Sequence, residues 1–462
     1  MTSRPGGKRV EVAKSHAPDG VRWVCWLFVL NILLQRISLP SISIPFTVPI
    51  TVIWCFLAWR RGVVVLEGRR LMLWLIASTA SAFVVLPQVL FVHRPYISVN
   101  SWAFWMTMWF PVVFMMADRS GESYHRMLRA VTTIGLWLST LSVIFVVTQF
   151  AGLRYRDYVG EYVPSAWQVD GFATSYPIVW DSWLYKSNGW IMLEPSFMSF
   201  TLGVCVMVAL LSRARPWKVI WLGMGMLATV AGSGFAIVVV GVLVMLLGGQ
   251  RRLIRPYIVP GALLALVAIP TAIGQVFLTR VTEVSDSNSS AALRSIEPYL
   301  YLIPRWIYDP AKVWFGAGAG SSRQVVEGSG TLGLIAPTVG KMYFDYGIIA
   351  GSLLLALAVV PFLRSHERTL SVAILAQFFL LQPPSQPLIV PAFLVVTLWA
   401  PAPLSYRRAG HVGEAQEPPP EPAESAVPAQ PRVPMPSTVA PPADGNTGAT
   451  AAPRILRAND DA

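Results

Sequence analysis

Charge is what this chain has least of. Asp, Glu, Lys and Arg make up only 13% of its residues, about half of the ~25% that a soluble domain carries. Cysteine is nearly absent too. Cys25, Cys55 and Cys205 each sit inside an apolar run, a pattern that excludes a disulfide framework and any paired-cysteine zinc or redox site. The five histidines, His16, His93, His125, His366 and His411, fall nowhere near metal-ligand spacing, and no Ser-His-Asp set can be assembled from them. The basic N-terminus is not followed by a short apolar stretch with a small-residue cleavage site, so residues 21–39 read as a first span and not as a signal peptide.

What the chain has instead is hydrophobicity in long runs. It is 54% hydrophobic with a mean hydropathy of +0.54, and short basic clusters separate the runs, as in a multi-span α-helical membrane protein. On the length criterion the spans are 21–39, 44–59, 71–92, 102–117, 130–150, 190–211, 219–231, 234–247, 258–277, 342–363, 369–381 and 388–399, about twelve in all. The expected fold is therefore an all-α polytopic membrane protein with about 12 transmembrane helices. Residues 1–20 form a cytoplasmic N-terminal segment, 21–400 the membrane domain, and 401–462 a Pro/Ala-rich tail that cannot bury enough apolar surface to order itself.

Lys and Arg in the short joints give the orientation. One side carries Arg60, Arg61, Arg69 and Arg70, then Arg119, Arg126 and Arg129, then Arg213, Arg215 and Lys218, then Arg251, Arg252 and Arg255, then Arg364 and Arg368. The other side carries almost none beyond Arg36 and Arg94. Both termini are expected in the cytoplasm, with the two long polar inserts, 151–188 and 278–338, outside. The net charge of +12 is then explained by topology and calls for no nucleic acid.

Residues 285–320 are the stretch around which the chain is organised. This segment bears arginine between strongly apolar neighbours, and 151–188 is its companion. Leu293, Ile296, Leu300, Ile303 and Trp306 recur at helical spacing, as in a helix lying on a membrane surface. The second insert as a whole carries the cations Arg280, Arg294, Arg305, Lys312 and Arg323. Arginine at that depth suits phosphate, because its planar fork donates two hydrogen bonds and stays charged; a solvated loop paired with Glu283, Asp286, Glu297 and Asp309 is the plainer reading. The GAGAG run, 316–320, lacks the strand and βαβ unit of a dinucleotide loop. It reads as a turn, or as a place where backbone amides approach a phosphate. Glu194-Pro195 opens the sixth span. An ionisable group there either faces a polar cavity or simply sits at a helix start, favoured by the dipole. Asp345 carries the same ambiguity.

Taken together, residues 186–363 resemble the bacterial O-antigen polymerase and ligase superfamily, the Wzy-type polymerases in particular, and the span layout extends the likeness to about 400 residues. The likeness rests on EPSFMSF (194–200) opening a span after the first insert, on a short span pair meeting at AGSGF (231–235), and on Arg294 about twenty residues before Phe315-Gly316-Ala317-Gly318. It is completed by Asp345 followed by Gly347 and Gly351. Two departures stand out. Lys186 occupies the place where the first loop often has an arginine, and 336–340 lacks the histidine usual in ligases, which favours a polymerase.

The resemblance implies an enzyme without cofactor or metal, acting at the outer face of the cytoplasmic membrane. It would polymerise oligosaccharide units carried on undecaprenyl diphosphate. Its implied partners are the lipid-linked donor and acceptor, the bilayer, and other proteins of polysaccharide assembly. Arg294 and Glu194 are the expected catalytic residues, Glu194 as base. Lys186, Arg280, Arg305, Arg323, Gly316 and Gly318 are expected to bind substrate. A ligase acting on another acceptor, or a non-enzymatic lipid-linked sugar transporter, are the alternatives; a transporter would put its polar weight near mid-membrane.

Overall fold

The structure is a computed structural model and describes residues 19–40, 44–169, 172, 174–178, 182–271, 275, 292–331, 334–380 and 384–398. The chain divides into two units, Met1–His411 and Val412–Ala462. The second, with the expected tail, lies outside the described residues, as does Arg280; all elements below belong to the first.

Among the described residues the regular structure is helix, apart from two short antiparallel ladders. In chain order the elements begin with α1 (Gly20–Leu34), β1 (Ser38–Leu39), β2 (Ile44–Pro45), α2 (Thr47–Arg60), β3 (Val64–Leu66), α3 (Gly68–Phe83), α4 (Val85–Phe91) and α5 (Val99–Trp109). They continue with β4 (Phe114–Met116), α6 (Gly121–Phe150), α7 (Tyr158–Tyr162), α8 (Pro195–Leu211), α9 (Pro216–Ala228), α10 (Gly232–Leu247) and α11 (Arg251–Ala268). The last are α12 (Ala292–Ser295), α13 (Glu297–Ile307), α14 (Pro310–Phe315), α15 (Ser321–Glu327), α16 (Thr338–Leu363), α17 (Arg368–Leu380) and α18 (Gln386–Leu398).

Among the described residues, three helices are long and apolar enough to cross a membrane: Gly68–Phe91, taking α3 and α4 together, Gly121–Phe150 and Thr338–Leu363. The joint at Val84 follows from Pro87, which lacks the N–H that would bond the carbonyl four residues back. Shorter apolar helices, including α1, α2, α8 and α10, have 14 to 17 residues, below the ~20 that a perpendicular crossing of the hydrocarbon core takes.

Two expected spans come out differently. The stretch 102–117 does not continue as helix. Pro111 stops α5, residues Phe110–Val113 form one 3₁₀ turn, and β4 pairs with β3 in the register Val64↔Met116, Val65↔Met115, Leu66↔Phe114. Arg70, taken from the sequence as a topology marker, is buried and donates to the carbonyls of Val112 and Phe114, in and just after this turn, and to that of Val396 in the last turn of α18. Likewise, 232–234 is not a joint but the first turn of α10; the chain turns at 229–231, where Val230 has φ +46°.

The core is built around α8. This helix is apolar all round and therefore suits complete burial; nearly every residue from Pro195 to Leu210 is buried. It packs on α6, α9, α10 and α18, and Phe200 stacks on Phe378 of α17 with ring centroids 5.8 Å apart. Its approach to α10 demands glycine: a Cβ on Gly203 would lie 2.6 Å from the Gly234 Cα. Such close contact between small residues is how apolar helices gain dispersion energy without a polar anchor.

Candidate functional site

Glu194 stands at the N-cap of α8, with Pro195 as the first helical residue. It accepts no cap hydrogen bond from its own helix. Its carboxylate accepts from the Ser196 hydroxyl at 2.9 Å and faces the Arg294 guanidinium at 3.7 Å. The two side chains are 5% and 18% exposed. The N-cap carboxylate of the central helix and a guanidinium of the second insert, a hundred residues apart in sequence, thus meet at the buried start of that helix. The helix start is fixed from behind: Ser233 Oγ donates to the Ser196 carbonyl at 2.6 Å, and Ser199 Oγ bridges to α10 by donating to the Ala231 carbonyl and accepting from the Gly234 amide.

The first insert is bolted down beside this pair. Arg36 donates to both carboxylate oxygens of Asp157 at 2.6 Å and to the Trp190 carbonyl. Thr174 Oγ1 and the Gly160 amide also donate to Asp157. Burial alone would raise the Asp157 carboxyl, but these donors and the Arg36 charge hold it below the usual carboxylate range. Residues 176–178 and 184–186 form a narrow hairpin: the Lys186 amide donates to the Tyr176 carbonyl, the Ile178 amide to that of Leu184, and Pro177 bridges Tyr185. Gln149 at the end of α6 clasps Tyr185 through both its amide and its carbonyl.

This hairpin puts the Lys186 ammonium over the Tyr176 ring, 5.8 Å from its centroid. Tyr176 was not among the residues singled out from the sequence. Burial raises its phenol, the Glu194 charge raises it further, and the Arg294 charge opposes both. Tyr176 therefore lies within electrostatic reach of the Glu194–Arg294 pair, and its hydroxyl stays a neutral donor across the physiological range.

The remaining expected substrate ligands lie elsewhere. Arg305 is exposed and donates to the Tyr301 carbonyl of its own helix. Arg323 is exposed and paired with Glu327 one turn on. Neither joins the Glu194–Arg294 pair. Gly316 and Gly318 shape a loop whose amides are already bonded within the fold. The Gly316 amide donates to Lys312, that of Ala317 to Phe344, and that of Gly318 to the Asp345 carbonyl. Close packing requires both glycines: both have positive φ, and a Cβ would run into the backbone of Asp345 at one and of Tyr96 at the other.

The cause lies in α16. Gly347 is non-helical (φ 69°, ψ −176°), which frees the carbonyls of Phe344 and Asp345 to receive the loop. The Asp345 side chain then closes the clasp. It accepts from the Gly320 amide (3.0 Å), Ser321 Oγ (3.1 Å), the Ser322 amide (2.7 Å) and Lys341 Nζ (2.8 Å). Lys341 was invisible to sequence reasoning except as a basic residue four before an acid, the spacing of a helical ion pair.

No protein-family model matches the chain, and no curated protein matches it either.

Proposed function

We propose that this protein polymerises lipid-diphosphate-linked oligosaccharide units at the outer face of a cytoplasmic membrane, crossing that membrane about twelve times with both termini inside. The observation that carries the reading is the Arg294–Glu194 pair, a half-buried cation from the second polar insert facing a buried carboxylate at the start of the central helix. A glycosyl transfer from a lipid diphosphate needs both halves. The acceptor hydroxyl oxygen attacks the anomeric carbon, its proton passes to a carboxylate, and the carbon–oxygen bond to the diphosphate breaks. Arg294 would meet the charge growing on the leaving diphosphate, and Lys186 would add a second cation. Glu194 would take the proton.

The pairing also orders the events. Once a diphosphate occupies the Arg294 fork, the carboxylate loses its cation and is left to accept from the acceptor hydroxyl. The base is thus released when the donor is seated.

The test is polymer synthesis by Arg294→Ala in intact cells and with purified protein. By analogy with single oxyanion donors we expect turnover to fall by at least about a hundredfold, with Arg294→Lys recovering part of it, because lysine restores charge without the fork. Full-length polymer at normal expression would overturn the role. A single transfer without chain growth would point to a ligase. The orientation is tested by cysteine labelling of Ser165→Cys and Gln324→Cys in intact cells, both at exposed positions. Labelling that occurs only after lysis would sink it.

A further inference from the structure

We infer that Tyr176 is a positioning residue of this site. Its ring is the platform that fixes the Lys186 ammonium, so that a lysine on an aromatic face does the work of a second arginine fork. The inference rests on the function proposed above for what the cation is for, but not for where it is held.

The local sequence makes this placement. Lysine is a point charge on a flexible stem and, unlike arginine, cannot hold its direction through a planar fork. Here the stem leaves a backbone that is anchored on every side. Its amide bonds the Tyr176 carbonyl; Tyr185, one residue before, is held by Gln149; Ser187, one after, is bonded to Ser142 and to the Ala228 carbonyl. The Tyr176 strand is anchored in turn. Phe172 packs on Phe197 in the first turn of α8, ring centroids 5.7 Å apart, and Asn188 donates to the Thr174 carbonyl at 3.0 Å. Ring and ammonium are therefore brought to 5.8 Å by two fixed backbones, inside the ~6 Å reach of a cation–π contact. The same tether fixes the strand beside the start of α8, three residues from Glu194. Only the ring, not the hydroxyl, is needed for the contact, and this separates it from any hydrogen-bonding role of the phenol.

Two substitutions divide these possibilities. Tyr176→Phe keeps the ring, Tyr176→Leu removes it, and both leave the main-chain tie to Lys186 intact. The first readout needs no substrate: the rate of reductive methylation of Lys186 in the purified full chain, followed by mass spectrometry. We expect Tyr176→Leu to speed it by about threefold or more, and Tyr176→Phe to leave it within about twofold of wild type. The second readout is binding of undecaprenyl diphosphate. The leucine variant should weaken it by about threefold to thirtyfold, the phenylalanine variant should not, and in a Lys186→Met background the leucine change should add nothing. Unchanged methylation in the leucine variant overturns the inference, as does an equal loss of binding with and without Lys186. If wild type binds no lipid diphosphate while the methylation result holds, the proposed function fails and the positioning role stands.

Discussion

Glu194 and Asp345 are both buried carboxylates at irregular points of apolar helices, and both face a cation. Their surroundings differ in kind. Asp345 accepts from four donors, two of them backbone amides, with its lysine at 2.8 Å. Among the described residues Glu194 accepts from one hydroxyl and faces its arginine at 3.7 Å, beyond the 2.7–2.9 Å of a tight charge-assisted bond. A fully bonded carboxylate has no lone pair left to offer and serves as a structural rivet. A carboxylate with a loosely held cation and spare acceptor capacity can exchange partners. The contrast ties Asp345 to the fold and, on the function proposed above, leaves Glu194 for the chemistry, although in the sequence the two carry the same ambiguity.

The sharpest way to break this comparison is to remove the rivet. Asp345→Ala strands Lys341, which is 18% exposed, and leaves the Gly320, Ser321 and Ser322 donors unmatched. Breaking one partner of a buried pair costs about 3–5 kcal/mol. We expect a collapse in folded yield and a large fall in thermal midpoint in detergent. A variant with wild-type stability would show that the clasp holds nothing.

The next largest effect is expected at Gly318, where φ is +105° and a Cβ would meet the Tyr96 carbonyl. Gly318→Ala should cost about 1–3 kcal/mol, because it must strain the backbone or push residues 96–98 away. Gly330→Ala is the control: its φ is also positive, +73°, but the space beside it is open, so it should cost only the ~1 kcal/mol of the left-handed backbone. Equal losses at the two positions would mean that the loop does not pack as described.

A smaller, pH-dependent effect belongs to Asp157. Its folded carboxyl lies below its unfolded value, so it contributes stability that is fully present above the unfolded pKa, ~3.9, and lost as pH falls through the lower folded value. Limited proteolysis within 151–169 should be flat from neutral pH to about 4 and rise below it. In Asp157→Asn that acid step should vanish. A step that survives the substitution would belong to another group.

Parts of this were legible in the chain. An acid inside an apolar run and an arginine in a polar insert are costly enough to stand out, and these are the two that meet at 3.7 Å. The dominance of helix follows from the long apolar runs. Other features depend on partners far away in sequence. Arg70 looked like a loop charge because nothing local announces the Val396 carbonyl it serves. Gly316 and Gly318 read from sequence as a turn or a phosphate loop, and nothing local announces the backbones of Asp345 and Tyr96 that pack against them. Pro111 did announce the end of α5, but hydrophobicity alone carried the expected span past it. Tyr176 gave no signal of its own; only the hairpin that sets it against Lys186 makes it part of the site.

Glu194→Gln should have the smallest effect on the fold, and it sharpens the comparison most. Glutamine keeps the length and can still accept from Ser196, while Arg294, partly exposed, can turn to water. The loss of a carboxylate at a helix start is worth a fraction of a kcal/mol to about one, so the thermal midpoint should move little. Turnover is another matter. If the carboxylate takes the acceptor proton, removing it should lower turnover by about a hundredfold to ten-thousandfold while the donor still binds. Arg294, no longer neutralised, should hold a diphosphate at least as well as before. Donor affinity kept or improved, turnover lost and stability unchanged would together be the signature of a base released from its cation by substrate. If turnover stays near normal, Glu194 only steadies Arg294, and the proton has another destination. If affinity falls along with turnover, the carboxylate orients the arginine and is not the base. Measuring affinity, turnover and midpoint on one preparation separates the three.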